Sequence, residues 1–80
     1  DHEGIVNLGR DIEGVEVSIF LHQAEDGAYK VSLRSNNYLN VDDVCLMFGG
    51  GGHQRAAGCK INGEPEEIKN KLINEIKKSL

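Results

Sequence analysis

The sequence predicts an α+β fold, in which a small sheet containing a β-hairpin packs against helices. Two neighbouring segments alternate between apolar and polar residues with the period of a strand, and two later segments repeat their apolar residues with the period of a helix. A run of glycines follows the first of these helices, the central one. Strands and helices that do not alternate as repeated strand–helix–strand units are typical of α+β domains.

The hairpin is predicted from residues 15–21 and 28–35. The first segment alternates and is rich in β-branched side chains, and Gly27 in the intervening turn can adopt a positive φ. One face of the second segment is apolar, and it carries Tyr29, Val31 and Leu33. We expect Arg34 and Ser35 to end this strand on the opposite face, where an arginine is ordinarily solvated.

Two helices are predicted from their caps and apolar stripes. Asn40 is suited to cap the first helix, and Pro65 suits the first position of the last one. The apolar face of the first helix consists of Val41, Val44, Cys45 and Phe48. The stripe of the last helix consists of Ile68, Leu72, Ile76 and Leu80. Both sets follow the spacing of one helical face.

The remaining segments have shorter patterns. Residues 54–57 are expected to form one helical turn, and residues 58–61 are expected to form a strand. Ile5, Val6 and Leu8 indicate a short turn of helix or a docking segment near the amino terminus. The predicted order is therefore strand, strand, helix, glycine loop, strand and helix.

Composition and charge restrict the class of protein. Eighty residues fit one domain spanning residues 1–80, which could be part of a larger protein. The formal net charge of −4 disfavours binding of duplex DNA through overall charge. The sequence lacks an apolar run of the ~20 residues that a membrane span needs, and its two cysteines have no close pairing motif. We therefore expect a cytoplasmic protein without membrane contact.

The four consecutive glycines Gly49–Gly52 are the most unusual feature of the chain. One glycine is enough to end a helix, whereas successive residues without Cβ atoms can form a concave nest of backbone N–H groups for an anion. We therefore expect a phosphate over the segment from Gly50 to His53, against the positive pole of the helical turn that follows. A P-loop would need Lys and then Ser or Thr after its last glycine, and a dinucleotide-binding fold would need a strand leading into the loop.

Three side chains are candidates for contact with such an anion. His53 can donate to a phosphate oxygen, and Arg34 can clamp a phosphate or stack on a base. Arg55, next to the loop, is a further candidate. A metal site is disfavoured, because His53 is separated from Cys45 and Cys59 by more than the two to four residues that are usual between paired zinc ligands.

Three segments of the chain resemble the DHH-associated domain, the C-terminal domain of DHH-family phosphoesterases. They are residues 29–35, residues 41–42, and residues 48–58 with the sequence Phe-Gly-Gly-Gly-Gly-His-Gln-Arg-Ala-Ala-Gly. Residues 12–17 are similar to the nanoRNase branch, which contains bifunctional oligoribonuclease and adenosine 3′,5′-bisphosphate phosphatases and whose members are often named exopolyphosphatase-related. The resemblance covers nearly the whole chain, and the glycine segment is its most specific part.

The resemblance implies the substrate-binding domain of a metal-dependent phosphodiesterase or phosphatase. In this family an N-terminal DHH domain holds two divalent metal ions, usually manganese. The C-terminal domain binds short RNA or nucleoside bisphosphates across the cleft between the domains. The implied binding residues are Arg34, Ser35, Gly50, Gly51, Gly52 and His53, beside which Arg55 is kept as a candidate from its position. The implied partners are therefore the nucleotide substrate and the DHH domain of the same parent chain, and no cofactor is implied for this domain.

The catalytic half of such an enzyme is missing from these residues. The sequence has no Asp-His-His motif, and Asp1-His2-Glu3 does not match it. We therefore expect this fragment to bind substrate without hydrolysing it. Two alternatives remain open, a non-hydrolytic RNA-binding module like the C-terminal domain of alanyl-tRNA synthetase and a domain of a cyclic-dinucleotide phosphodiesterase. The glycine–histidine pattern favours the phosphoesterase.

Overall fold

The computed structural model describes residues 5–36 and 38–80, in which one antiparallel sheet packs against two helices. The strands are β1 (Ile5–Asn7), β2 (Arg10–Ile12), β3 (Val15–Gln23), β4 (Tyr29–Ser35), β5 (Gly51–Gly52) and β6 (Ala56–Ile61). The helices are α1 (Val41–Leu46) and α2 (Pro65–Ser79). The predicted α+β class, with a hairpin-containing sheet and helices, is confirmed.

The order of strands brings the glycine run to one side of the sheet. Neighbouring strands follow the order β1-β3-β4-β6-β5, and β2 pairs with β3 as well. The predicted hairpin is β3 and β4, in which Ile19 lies opposite Leu33. On the other side of β4, Leu33 lies opposite Ala57 of β6. Because β5 pairs with β6, the last two glycines form an edge strand two positions from β4.

The sheet has one buried face and one exposed face. Along β4, Val31 and Leu33 are buried, whereas Lys30, Ser32 and Arg34 are exposed. Residues that lie opposite each other in an antiparallel pair share a face. The exposed face, called the open face below, therefore also carries Ser18, Phe20 and His22 of β3 and Ala56, Gly58 and Lys60 of β6.

Both helices pack on the buried face and form a common core with it. The buried residues of α1 are Val41, Val44 and Cys45. Those of α2 are Ile68, Leu72 and Ile76. Asn40 caps α1 as predicted, since its Oδ1 accepts from the N–H groups of Asp42 (3.0 Å) and Asp43 (3.3 Å). Helix α2 begins at Pro65, also as predicted.

Two short segments differ from the prediction. Ile5 and Val6 form β1 and pair with β3, so of the two alternatives for this segment the helical turn is wrong. The predicted helical turn at residues 54–57 is also wrong. His53 and Ala56 exchange backbone hydrogen bonds of 2.8 and 3.2 Å, so the two residues between them are the loop of a hairpin joining β5 to β6. Pairing with β4 extends the predicted strand at residues 58–61 back to Ala56.

Two other expectations concern the amino-terminal Asp-His-Glu segment and membrane-spanning helices. Asp1-His2-Glu3 lies outside the described residues. Within the described ranges, neither helix combines the length and the apolar character needed to cross a membrane.

Candidate functional site

The glycine run begins by ending α1. Gly49 has a φ of +82°, in the left-handed region that glycine adopts without strain. Its N–H donates to the carbonyl of Leu46 (3.1 Å), and the N–H of Gly50 donates to that of Cys45 (2.9 Å). These two bonds form the Schellman pattern, which satisfies carbonyls that the helix leaves without partners.

Gly50 is required by close packing. A Cβ atom at this position would lie 2.6 Å from Cys59 Cβ and 2.7 Å from Cys59 Cα, and it would also collide with the carbonyl oxygen of Gly58. Atoms of the backbone cannot move aside as the end of a flexible side chain can. Glycine therefore lets the chain leave α1 and pass directly against β6.

The second half of the run is the edge strand β5. The N–H of Gly52 donates to Oδ1 of Asp42 (2.8 Å), which extends from the first turn of α1. A Cβ atom at Gly52 would lie 2.7 Å from Ala57 Cα, so this position is also closely packed. At Gly51 a Cβ atom would meet Asp42 Oδ1 at 3.2 Å and no backbone atom. Gly51 is thus the more open of the two positions.

The backbone amides of the run are engaged within the domain. The first two donate to carbonyls of α1, and the fourth donates to Asp42. The third, of Gly51, lies opposite Gly58. This is a hydrogen-bonded position of the ladder, because the pair His53–Ala56, two residues further along, is hydrogen-bonded. The expected nest of free N–H groups is therefore not formed, and a ligand would meet side chains above this backbone.

Arg34 and His53 lie in one row across the open face. Arg34 is directly opposite Ala56, and Ala56 is opposite His53 across the hairpin. Both Arg34 and His53 are exposed. Their Cα atoms are two strand spacings apart, about 9–10 Å, and only the methyl group of Ala56 lies between them. The arrangement brings a guanidinium and an imidazole to the same patch of surface.

A shallow groove of about 270 Å³ runs beside this row. It is lined by Ser32, Leu33, Arg34, Gly51, Gly52, Ala56, Ala57 and Gly58. Arg34 is the charged member of this set, and most of the others are small. The structure thus brings Arg34 together with Gly51 and Gly52, while His53 lies just beyond the lining, at the exposed end of the hairpin.

Two further predicted residues have structural contacts. Ser35 is 4% exposed and lies on the core face, because it has the same strand parity as Leu33. Its predicted placement on the opposite face is therefore wrong. Its N–H donates to the carbonyl of Arg55 (3.1 Å). The guanidinium of Arg55 donates through Nη1 to the carbonyl of Leu39, so Arg55 fastens the hairpin to the segment before α1.

The two cysteines are free thiols, and both are buried in the core. The hydrogen bond between Cys45 and Cys59, together with burial, raises the pKa of the Cys45 thiol. The same hydrogen bond lowers the pKa of Cys59. Among the described residues, no group of three or more His, Cys, Asp or Glu side chains converges as a metal site would require. Cys45 and Cys59 therefore act as small packing residues beside the glycine run.

Sequence reasoning missed the role of Asp42. Its position in the first turn of α1 suggested a favourable interaction with the helix dipole, whereas its carboxylate also holds Gly52 in place. The two residues are ten positions apart, and no local pattern relates them. The signal available in the sequence was the presence of Val41–Asp42 among the segments that carry the family resemblance.

Comparison with known proteins identifies one family model and several related oligoribonucleases. A family model for the DHHA1 domain matches residues 2–80. Bifunctional oligoribonuclease and PAP phosphatase NrnA of Thermus thermophilus is 35% identical over 81 residues, which cover 100% of this chain and 25% of that protein. Oligoribonuclease NrnB of Bacillus subtilis is 42% identical over 62 residues, which cover 76% of this chain and 15% of that protein.

A solved structure has the same fold. An exopolyphosphatase-related protein from Bacteroides fragilis superposes with a TM-score of 0.69 and 31% sequence identity, over 84% of this chain and 20% of that one. The chain therefore spans a quarter or less of the length of the three proteins compared. Because the family model matches nearly all of the chain, the protein belongs to the DHHA1 domain family of DHH phosphoesterases.

Proposed function

We propose that this domain binds the phosphate of a short oligoribonucleotide or a nucleoside bisphosphate, as the substrate-binding part of a metal-dependent phosphoesterase. The observation that carries the proposal is the row formed by Arg34, Ala56 and His53 on the open face. It is supported by the names of the relatives, which are oligoribonucleases and a PAP phosphatase.

The row has the chemistry of a phosphate clamp. A guanidinium offers a planar fork of N–H donors that matches two phosphate oxygens, and an imidazole can donate one further hydrogen bond. Ala56 between them is too small to fill the space above the sheet. Two side chains that start about 9–10 Å apart and extend over this methyl group can reach one anion from opposite sides.

The glycines contribute shape to the proposed site. Gly51 and Gly58 lie opposite each other, line the groove and add no side chain to it. A sugar or phosphate can therefore approach the backbone closely. In this proposal the close packing of Gly50 and Gly52 against β6 holds the hairpin in its position. The tip of the hairpin is held by Arg55, whose guanidinium donates to the carbonyl of Leu39 and whose own carbonyl accepts from the N–H of Ser35.

The hydrolytic reaction is assigned to the rest of the parent protein. The proposed catalytic site is a pair of divalent metal ions, manganese by family resemblance, in an N-terminal DHH domain of the same chain. Two such ions would generate the attacking hydroxide and stabilise the leaving oxygen. The role of this domain would be to hold the substrate in position. A cytoplasmic location, where short RNA and nucleoside bisphosphates occur, is part of the same proposal.

Calorimetric titration of the domain with a diribonucleotide tests the phosphate clamp. We expect His53→Ala to weaken binding by about 1–3 kcal/mol, the range for a charge-assisted hydrogen bond. Arg34→Lys should also weaken binding, because lysine keeps the charge and loses the fork. The matched control is Arg10→Lys on β2, where Arg10 is exposed and away from the groove. Unchanged affinity in folded His53→Ala and Arg34→Lys variants would overturn the proposal.

A cleavage assay tests whether this domain binds RNA without hydrolysing it. The purified domain should bind a fluorescent short RNA and leave it intact in the presence of manganese. Turnover that copurifies with the domain and is lost in Arg34→Lys and His53→Ala variants would show that the domain itself hydrolyses the RNA, and it would overturn this assignment.

A further inference from the structure

We propose that the open face extends the phosphate site into a track for a single-stranded oligoribonucleotide, with Phe20 as a stacking platform and Lys30 as a second phosphate contact. This inference rests on the proposed function, because it takes the row of Arg34 and His53 as the first subsite. It adds that longer oligomers make contacts which a single nucleotide cannot reach.

Three rows of side chains follow one another down the open face. The first row contains Ser18, Arg34 and Ala56, and it continues to His53. The second contains Phe20, Ser32, Gly58 and Gly51. The third contains His22, Lys30 and Lys60. An aromatic residue therefore lies between two rows that carry cations.

Phe20 is out of place for a purely structural residue. It lies half-buried on the open face, whereas the apolar neighbours Ile19 and Leu21 fill the core. Ser32 of β4 lies directly across from Phe20, Asn7 of β1 lies on its other side, and Ser18 lies two residues away along β3. These neighbours are small or polar, and Phe20 remains partly exposed among them. An accessible ring offers a surface on which any nucleobase can stack, without sequence preference.

Lys30 supplies the second cation of the track. It is exposed and lies four residues from Arg34 on β4, so that the two Cα atoms are about 13 Å apart along one strand. Within the described part of the chain, Lys30 makes no ion pair. Lys60 in the same row is instead held by Asp26 (2.6 Å), an interaction that lowers the pKa of Asp26. Lys30 is therefore the member of this row that is available for a phosphate.

The shape of the groove and the distribution of charged residues together set the direction of the track. Ser32, Gly51 and Gly58 line the groove beside Arg34, and they belong to the same row as Phe20. Towards the other side of the sheet, Asp11 of β2 lies opposite Glu16 of β3. Two carboxylates at that edge disfavour a polyanion. Beside Lys30 the cavity also contains Glu25 and Asp26, and Lys60 offsets the charge of Asp26. An oligonucleotide bound at Arg34 is thus directed along β4 towards Lys30.

The test compares a diribonucleotide with a tetraribonucleotide of the same composition by calorimetric titration. The wild-type domain should bind the longer oligomer more tightly. Phe20→Leu keeps an apolar side chain and removes the stacking surface, so it should weaken tetraribonucleotide binding by about 5- to 150-fold. The same variant should leave the affinity for tripolyphosphate, which has no base to stack, unchanged within error.

The charge contact has its own readout. For the tetraribonucleotide, Lys30→Gln should reduce the slope of log K against log salt by about 0.7, the value for one phosphate of a single strand. Lys71→Gln on the exposed side of α2 is the matched control and should leave the slope unchanged. Tripolyphosphate, which has charge and no bases, should show the Lys30 effect and no Phe20 effect.

The outcomes separate this inference from the proposed function. Failure of the wild-type domain to bind the diribonucleotide would contradict the phosphate site itself, and the track with it. Diribonucleotide binding that is lost in Arg34→Lys, combined with equal affinity for the tetraribonucleotide, would overturn the track alone. The track would also be overturned if Phe20→Leu and Lys30→Gln had no effect on the longer oligomer.

Discussion

The two halves of the glycine run illustrate how identical residues meet different requirements. Gly49 and Gly50 belong to the end of α1, one through a positive φ and the other through contact with β6. Gly51 and Gly52 belong to the sheet as β5, beside the groove that Arg34 lines. The first half is dictated by folding, whereas in the second half an added Cβ atom at Gly51 would contact only side chains of α1.

This difference changes the interpretation of a glycine-rich loop. Read as a unit, four glycines suggest one anion nest built from backbone N–H groups. In the structure those groups are engaged, and the run serves to place a bare strand next to cationic side chains. The comparison predicts that alanine at each position will have a different effect, from severe at Gly50 to slight at Gly51.

Gly50→Ala should be the most damaging of these substitutions. The added methyl group would overlap Cys59 and the backbone of Gly58, and overpacking of this kind costs about 3 kcal/mol or more when the backbone must shift. A domain of this size has little stability to lose. Urea denaturation measures the loss, and a variant with wild-type stability would contradict the packing described at this position.

Gly49→Ala should have an intermediate effect. Alanine in the left-handed region costs about 1–2 kcal/mol, and the rest of the helix end can remain as it is. The same denaturation experiment with Gly49→Asn provides a control, because asparagine tolerates this conformation better than alanine. Equal stability of the alanine and asparagine variants would argue against a left-handed residue at the end of α1.

Asp42→Ala should have a smaller effect on stability, about 1 kcal/mol. It removes the acceptor for the N–H of Gly52, and that group can be rehydrated because the contact is exposed. Asp42→Asn retains an acceptor oxygen and should be closer to wild type. Amide hydrogen exchange at Gly52 is the specific readout, with faster exchange in the alanine variant than in the asparagine variant.

Gly51→Ala should have the least effect on the fold and a clear effect on binding. Its methyl group would lie 3.2 Å from Asp42 Oδ1 and close to no backbone atom, and because the Asp42 side chain can move aside, the melting temperature should change little. The methyl would stand beside Asp42 and Leu46 of α1, at the margin of the groove that Gly51 helps to line. Thermal melting and nucleotide titration on one sample separate the two effects. Unaltered binding by a more intrusive Gly51→Val variant would show that the ligand does not pass over β5.

The sequence predicted those parts of the fold that have a local periodic signal. Strands β3 and β4 alternate over seven or more residues, and α2 has both a proline start and a long apolar stripe. Strands β1 and β2 have only three residues each and exist because β3 offers an edge to both. No pattern within three residues could reveal that pairing.

The wrong predictions at the candidate site also concern features that depend on strand pairing and register. Ala56 and Ala57 have high helical propensity, and their pairing with β4 overrides it. Ser35 was assigned to the face of Arg34, although strict alternation from Leu33 places it in the core. The candidates Arg34, Gly51, Gly52 and His53 were found from residue type and family resemblance, and the row that relates Arg34 to His53 depends on strand register.

The most direct test of this account is an NMR titration of the isotope-labelled domain with a diribonucleotide. Ligand binding to the open face predicts that the largest amide shifts occur at Gly51, Ala56 and Gly58 and in β4 around Arg34, with α2 unaffected. Shifts concentrated on α2, or no shifts at ligand concentrations that saturate the calorimetric signal, would contradict the claim that this face of the sheet binds nucleotides.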